Sequence, residues 1–253
     1  MYRSVVIKVG TNVLTRPDGR LDVTNISHLV DQIAALKRAG VSLVLVSSGA
    51  VGAGRELLTV GEEFGDVARR QVLSAIGQVR LMELYRQLFA GHQLLCAQVL
   101  ATKGDFRDEL HADNMLNCFR ALLHDQIVPV VNENDVVSVT ELMFTDNDEL
   151  AGLAARMLEV DALIILSSVD GLYDGPPDAS ESRLIREVAA ADESVHSFVQ
   201  EAKTSFGRGG MATKLRIAGE TAREGIPVLL GNGRAPNILE ALLTKEWPGT
   251  RVS

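Results

Sequence analysis

The sequence predicts an α/β fold: a three-layer α/β/α sandwich on a mostly parallel sheet. Three observations predict it. Strand-like and helix-like segments alternate along all 253 residues. Several strand candidates, such as "VSLVLVS" (41–47), are almost unbroken apolar runs, as expected of strands buried on both faces. Glycine and small polar residues follow these strands rather than precede them, and ligands of open α/β sheets bind beyond the strands' C-terminal ends.

In chain order, "SVVIKVG" is a short β-rich run. The segment "TNISHLVDQIAALKRAG" places Ile26, Leu29, Val30, Ile33 and Leu36 at helical spacing, with Thr24 as candidate N-cap and Gly40 at the end. "VSLVLVS" is the second strand. Helical patterns fill Val67 to Phe89, Ala112 to Leu123, Glu149 to Leu158 and Ala212 to Glu224. Further strand candidates are "LLCAQVL", "IVPVV", "ALIILSS" and "IPVLLG", and "GLYDGPPDASESRLI" reads as a turn-rich hairpin. No repeat or linker divides the chain, so one domain with two lobes is expected.

Composition narrows the function. Apolar residues are 46% and charged residues 23%, enough for a sizeable core. A formal charge of −8 disfavours non-specific nucleic-acid binding and anionic membrane surfaces. Cys96 and Cys118 sit among apolar neighbours without metal-ligand spacing and read as buried free thiols. No signal peptide is visible and no apolar run reaches the ~18–20 residues of a membrane helix, so a cytoplasmic location is expected. The five histidines are scattered and read as surface or satisfied core residues.

Chemistry concentrates after the strands. Lys8 precedes "GTN", "SSGAVGAG" follows the second strand, and Ser167 and Ser168 follow "ALIIL". "FGRGGMATK" leads into the last long helix pattern. "VVNENDVV" ends an apolar strand in polar and acidic side chains, and "TDNDELAGLAA" opens a helix with three more. Desolvating so much charge is costly unless something pairs with it. Each motif has a plain structural reading: glycines as turns, Lys8 as a snorkelling strand-edge lysine, "TDND" as an N-cap, "GRGG" as a loop. Together they place two lysines, two glycine-rich turns and a carboxylate cluster where a cleft should open, which suits phosphoryl transfer. The Walker A, protein-kinase, nucleophile-elbow and dinucleotide fingerprints are all absent.

Taken in order, "VIKVGTNVLT", "LVLVSSGAVGAGR", "VPVVNENDVV", "TDNDELAGLAA", "SVDGLYDGPP" and "GRGGMATKL" resemble the glutamate 5-kinases, of the amino-acid kinase fold, over essentially the whole chain. The resemblance implies ATP- and Mg²⁺-dependent phosphorylation of the γ-carboxylate of L-glutamate, the first step of proline synthesis. It implies that Lys8 and Lys214 stabilise the transferring phosphoryl group and that Asp148 orients them. Ser48, Asp135 and Asn147 would hold glutamate, with Asp135 meeting its α-ammonium. Lys8, Ser167, Ser168 and the loop Arg208, Gly209, Gly210, Met211, Ala212, Thr213 and Lys214 would contact ATP. The magnesium would be carried mainly by the ATP phosphates, with no dedicated protein metal site. The lobes would be a substrate lobe, roughly 1–160, and a nucleotide lobe, roughly 161–253, without the C-terminal PUA domain that many members carry. Proline as feedback inhibitor, a homo-oligomer and a glutamyl phosphate reductase partner are further implications, with no nucleic-acid or membrane partner. Two departures touch the nucleotide side: Ser167-Ser168 stands where the family usually has Thr-Asp or Ser-Asp, and Arg208 where it has Thr.

Overall fold

The computed structural model describes residues 2–61, 63–138, 146–192, 210–244 and 248–253. The first half contains β1 (Ser4–Val9), α1 (Thr11–Leu14), α2 (Val23–Arg38), β2 (Ser42–Ser47), α3 (Ala50–Leu57), α4 (Asp66–Ala90), β3 (Cys96–Ala101), α5 (Glu109–His124) and β4 (Val128–Glu133). Then come α6 (Asn147–Met157), β5 (Ala162–Ser167), β6 (Leu172–Tyr173), β7 (Leu184–Ile185), β8 (Glu187–Val188), α7 (Met211–Arg223), β9 (Val228–Asn232), α8 (Ile238–Leu243) and β10 (Thr250–Val252).

Eight strands form one sheet in the order β3-β4-β2-β1-β5-β9-β10-β8, and β6 and β7 form the expected antiparallel hairpin. Every pairing in the large sheet is parallel except β9 with β10. The chain runs from β1 to β2, crosses to the edge strand β3, returns to insert β4 between β3 and β2, and then places β5 on the other side of β1. The order therefore reverses between β1 and β5, where an open α/β sheet leaves a crevice beyond its strand ends. There the Gly10 N–H donates to the Leu166 carbonyl at 3.2 Å.

Two apolar layers cover the sheet, and the period-2 alternation of the strands sorts residues between them. Val5, Ile7 and Val9 face the layer built with α2, α4 and α8. Val6 faces the layer built with α5, α6 and α7, and Lys8 shares its side of the strand. The expected sandwich is thus present, with Lys8 on a central strand rather than at an edge.

Local details differ from expectation at three places. The α2 N-cap is Asp22, whose side chain accepts from the Asn25 N–H, and not Thr24, which lies inside the helix. Gly40 does follow the helix, at φ +83°, the left-handed conformation that favours glycine there. The cysteines are free, but Cys96 is half-buried and Cys118 exposed. Finally, of the glycines in "SSGAVGAG", Gly49 makes the left-handed turn into α3 while Gly52 and Gly54 lie within the helix. A Cβ on Gly54 would overlap the Leu73 carbonyl, and one on Gly77 would overlap that of Ala50. Gly54 and Gly77 let α3 and α4 cross with their backbones in contact. Among the described residues no helix is long and apolar enough to cross a membrane.

Candidate active site

The site begins with Lys8. Its strand continues a buried apolar run, so the ammonium is carried into the interior and needs a partner. It lies 2.5 Å from Asp148 Oδ1, and Lys214 Nζ donates to Asp148 Oδ2 at 2.8 Å. One carboxylate on α6 thus bridges a lysine from β1 and a lysine from α7, near opposite ends of the chain. The side chains of Lys8, Lys214 and Asp148 are 5%, 10% and 0% exposed. Burial opposes ionisation of Asp148, but Lys8 and then Lys214 overcome it and hold the carboxyl well below the ordinary range. Burial lowers the Lys8 pKa, with Asp148 working against it. Removing either partner of such a buried contact is costly.

Asp148 reaches this position because α6 starts one residue earlier, with Asp146 as its N-cap. Asp146 Oδ1 accepts from the N–H groups of Asp148 and Glu149 at 2.9 and 3.2 Å. Burial, then the charge of Asp148, push the Asp146 carboxyl up to about 6, opposed by Lys8 and Lys214. Two buried carboxylate oxygens here accept no hydrogen bond among the described residues: Asp148 Oδ1, which has the Lys8 ammonium at ion-pair distance, and Asp146 Oδ2. The plain N-cap reading of "TDND" and the functional one are therefore both satisfied, by different residues of one turn.

The acceptor side is a hydrogen-bonded net. Asn147 Nδ2 donates to Ser48 Oγ at 2.9 Å and to Asn132 Oδ1 at 2.9 Å, and Asn132 Nδ2 donates to Gln78 Oε1 at 3.0 Å. The neighbouring Ser47 hydroxyl is occupied elsewhere, 2.8 Å from the buried Tyr85 hydroxyl, which leaves Ser48 as the serine of this turn facing the net. Asp135 stands further along the same strand end, ion-paired to Arg70 of α4 at 2.5 Å, and Arg70 also donates to Glu133 at 3.2 Å. Burial raises the Asp135 pKa, and Arg70 only partly offsets it. Ser138 closes the group by donating to Glu133 at 2.7 Å.

On the other side of Lys8, Ser167 bonds within its own turn, its hydroxyl donating to the Val169 carbonyl at 2.9 Å, and Ser168 is exposed. Gly210 is the N-cap of α7, without a side-chain cap, and Met211, Ala212, Thr213 and Lys214 form its first turn. Uncapped N–H groups at a helix start attract anions. Arg208 and Gly209 lie outside the described residues. No group of three metal-ligating side chains occurs among the described residues, and Asp146 Oδ2 is the carboxylate oxygen left with neither hydrogen bond nor lysine. Asp146 Oδ2 is the side-chain oxygen that would be free to approach a magnesium ion brought by nucleotide phosphates.

Sequence reasoning brought Lys8, Lys214, Asp148, Asn147 and Ser48 to one place, and they are together. It left Asn132 and Asp146 without roles although their motifs stood out, and it missed Arg70 and Gln78. These two sit on a long helix remote in sequence, and no local pattern marks them.

The model of the amino acid kinase family matches residues 3–232. A glutamate 5-kinase of Chlorobaculum tepidum is 49% identical over 99% of this chain and 69% of its own length. One from Clostridium acetobutylicum is 40% identical over 97% of this chain and 92% of its own length. The solved carbamate kinase from Giardia lamblia bound to AMP-PNP superposes with a TM-score of 0.71 at 19% identity, covering 99% of this chain and 98% of its own, a likeness of fold. With the family model matching most of its length and these relatives at 40–49% identity, the chain belongs to the amino acid kinase family.

Proposed function

We propose that this chain transfers the γ-phosphoryl group of ATP to the γ-carboxylate of L-glutamate, giving L-glutamyl 5-phosphate for proline synthesis. The observation that carries the reading is the carboxylate of Asp148 bridging Lys8 and Lys214 at the reversal point of the sheet. The names of the relatives supply the acceptor.

The acceptor carboxylate is ionised at neutral pH and needs no general base. The barrier lies in bringing two anions together, so catalysis consists of positioning and of neutralising charge on the transferring group. Lys8 and Lys214 meet the phosphoryl oxygens, and Asp148 holds both ammonium groups in register while burial keeps water away. Bound magnesium supplies further neutralisation of phosphate charge. The start of α7, with Gly210 to Lys214, and the Ser167–Ser168 turn receive the nucleotide, together with Arg208 and Gly209 just before Gly210 in sequence. Ser48, Asn147 and Asp135 receive glutamate. The substrate lobe then spans roughly 1–160 and the nucleotide lobe roughly 161–253.

The test is ATP- and glutamate-dependent acyl phosphate formation, trapped by hydroxylamine, against a panel of aspartate, N-acetylglutamate and carbamate. Faster turnover of another acceptor would move the chain to a different branch of the family, and no turnover of any would make it a binding protein. Proline, an α-amino acid of similar size, inhibits by overlapping the glutamate site. Flat activity across a wide proline titration would remove that idea.

The homo-oligomer belongs to the same reading. Val72, Ile76 and Val79 on α4, Leu95 and Leu100 at the edge strand β3, and Val136 are 36–72% exposed. Hydrogen bonds from Gln71 to the Val136 carbonyl and from Gln78 to Gln98 join these elements into one face. A contiguous exposed apolar face of this kind marks a protein–protein contact. Sedimentation should give a dimer or larger species and Val79→Asp a monomer. A monomeric wild type at micromolar concentration contradicts the assignment.

A further inference from the structure

Glutamate carries three charged groups, and the residues considered so far account for two. The γ-carboxylate meets the lysines, and the α-ammonium meets Asp135. The α-carboxylate lacks a cation. We infer that Arg70 is that cation: a specificity-determining residue that binds the substrate's α-carboxylate beside the ammonium site of Asp135. This rests on the glutamate kinase reading and deepens it.

Arg70 is placed for the task by the fold. The close crossing of α3 and α4 at Gly54 and Gly77 fixes the start of α4 against the turn that carries Ser48. Gln71, the next residue, donates to the Val136 carbonyl at 2.7 Å and ties the helix to the strand end that carries Asp135. The guanidinium uses Nη2 for both of its acids, Asp135 and Glu133. Its Nε and Nη1 donate to no acceptor among the described residues, and the side chain is 27% exposed, so donors remain on the guanidinium for an incoming anion. A single charge-assisted bond from one of them to a carboxylate is stronger than a neutral one. Glu133 neighbours Asn132 in sequence, and Asn132 leads through Asn147 to Ser48, so Arg70 adjoins the acceptor net.

The charge pattern fits an amino-acid head group. Asp135 shares Arg70 with Glu133 and stands beside it, so an ammonium on Asp135 lies next to the guanidinium. The amino and carboxylate groups of an α-amino acid lie on one carbon, so a site that takes the first must place something next to the second. In the ligand-free chain Arg70 and Asp135 satisfy one another. Substrate replaces that internal pair with two intermolecular ones.

The test is a cycle of two enzymes and two acceptors: wild type and Arg70→Ala, with L-glutamate and with 4-aminobutyrate, which keeps the amine and the acceptor carboxylate but lacks the α-carboxylate. Arg70→Ala should lower kcat/KM for glutamate by about 10- to 100-fold, mostly through KM, as for a lost hydrogen bond to a charged group. It should leave 4-aminobutyrate within about 3-fold and the KM for ATP unchanged, and Arg70→Lys should recover part of the glutamate loss. Where 4-aminobutyrate turns over too slowly, its inhibition constant against glutamate is the readout. Circular dichroism verifies folding, and Arg70→Gln replaces the alanine variant if that fails. Equal losses on the two acceptors would overturn the proposal and leave Arg70 as a brace for Asp135. A wild type inert toward glutamate would instead defeat the kinase reading, an outcome visible before any variant is made.

Discussion

The molecule holds two ion clusters, and they are mirror images in charge. Around Asp148, two lysines share one carboxylate, and all three side chains are at most 10% exposed. Around Arg70, two carboxylates share one guanidinium, which is 27% exposed. The two lie at one end of the same sheet. The sealed pair of ammonium groups suits a transferring phosphoryl group. The half-open pair of carboxylates suits an ammonium that must enter and leave with each turnover.

The sharpest way to break this contrast is Lys8→Met. Methionine keeps length and an apolar stem, so the strand should still pack. If Lys8 acts on charge that spreads in the transition state, kcat and kcat/KM fall together, by at least ~10²-fold or roughly 3 kcal/mol. A folded variant with turnover within a few-fold of wild type would end the lysine-pair mechanism.

At the second cluster, Asp135→Asn should raise the KM for glutamate, with little change for ATP, by about 2–3 kcal/mol of binding. The variant also leaves Arg70 with Glu133 as its remaining acid, so the effect should exceed that of a surface carboxylate. An unchanged glutamate KM would make Asp135 a strand-end cap.

The smallest effect sharpens the boundary of the sealed cluster. Asp146 has its folded pKa raised to about 6 from an ordinary 3.8, by burial first and then by Asp148. A carboxyl with a raised folded pKa favours folding most below its unfolded value, and that contribution is lost as pH rises through the folded value. Asp146→Asn keeps an oxygen for the α6 cap and removes the charge. It should match wild-type stability near pH 4 and exceed it by about 1–2 kcal/mol at pH 7–8, a few degrees in Tm. Asp148 runs the opposite way: its depressed pKa stabilises above about pH 4, the ordinary carboxylate range, and that share is lost on acidification. Thermal scans of Asp146→Asn that stay parallel to wild type from pH 4 to 8 would show that Asp146 is not held protonated by its site.

Much was legible in the chain alone. Apolar runs and helical spacings marked the long strands and the long helices α2, α4, α5, α6 and α7, because burial imposes a period on each element. The strand-end motifs marked the site, because charge next to an apolar run has a desolvation cost that calls for a partner. The resemblance singled out Ser48 over Ser47 and Asp148 over Asp146, but the physical reasons are long-range. Tyr85, from a distant helix, takes Ser47, and the pKa values of Asp146 and Asp148 move in opposite directions because Asp148 has the lysines as direct partners. The glycines of "SSGAVGAG" looked like a phosphate cradle, and their use in a helix crossing depends on Leu73 and Gly77 of α4. Arg70 carried no signal at all, being one arginine among several on an amphipathic helix. Local pattern records what each segment must bury, whereas the pairing of charges is long-range and is decided only when the sheet brings β1, α4, α6 and α7 to the same edge.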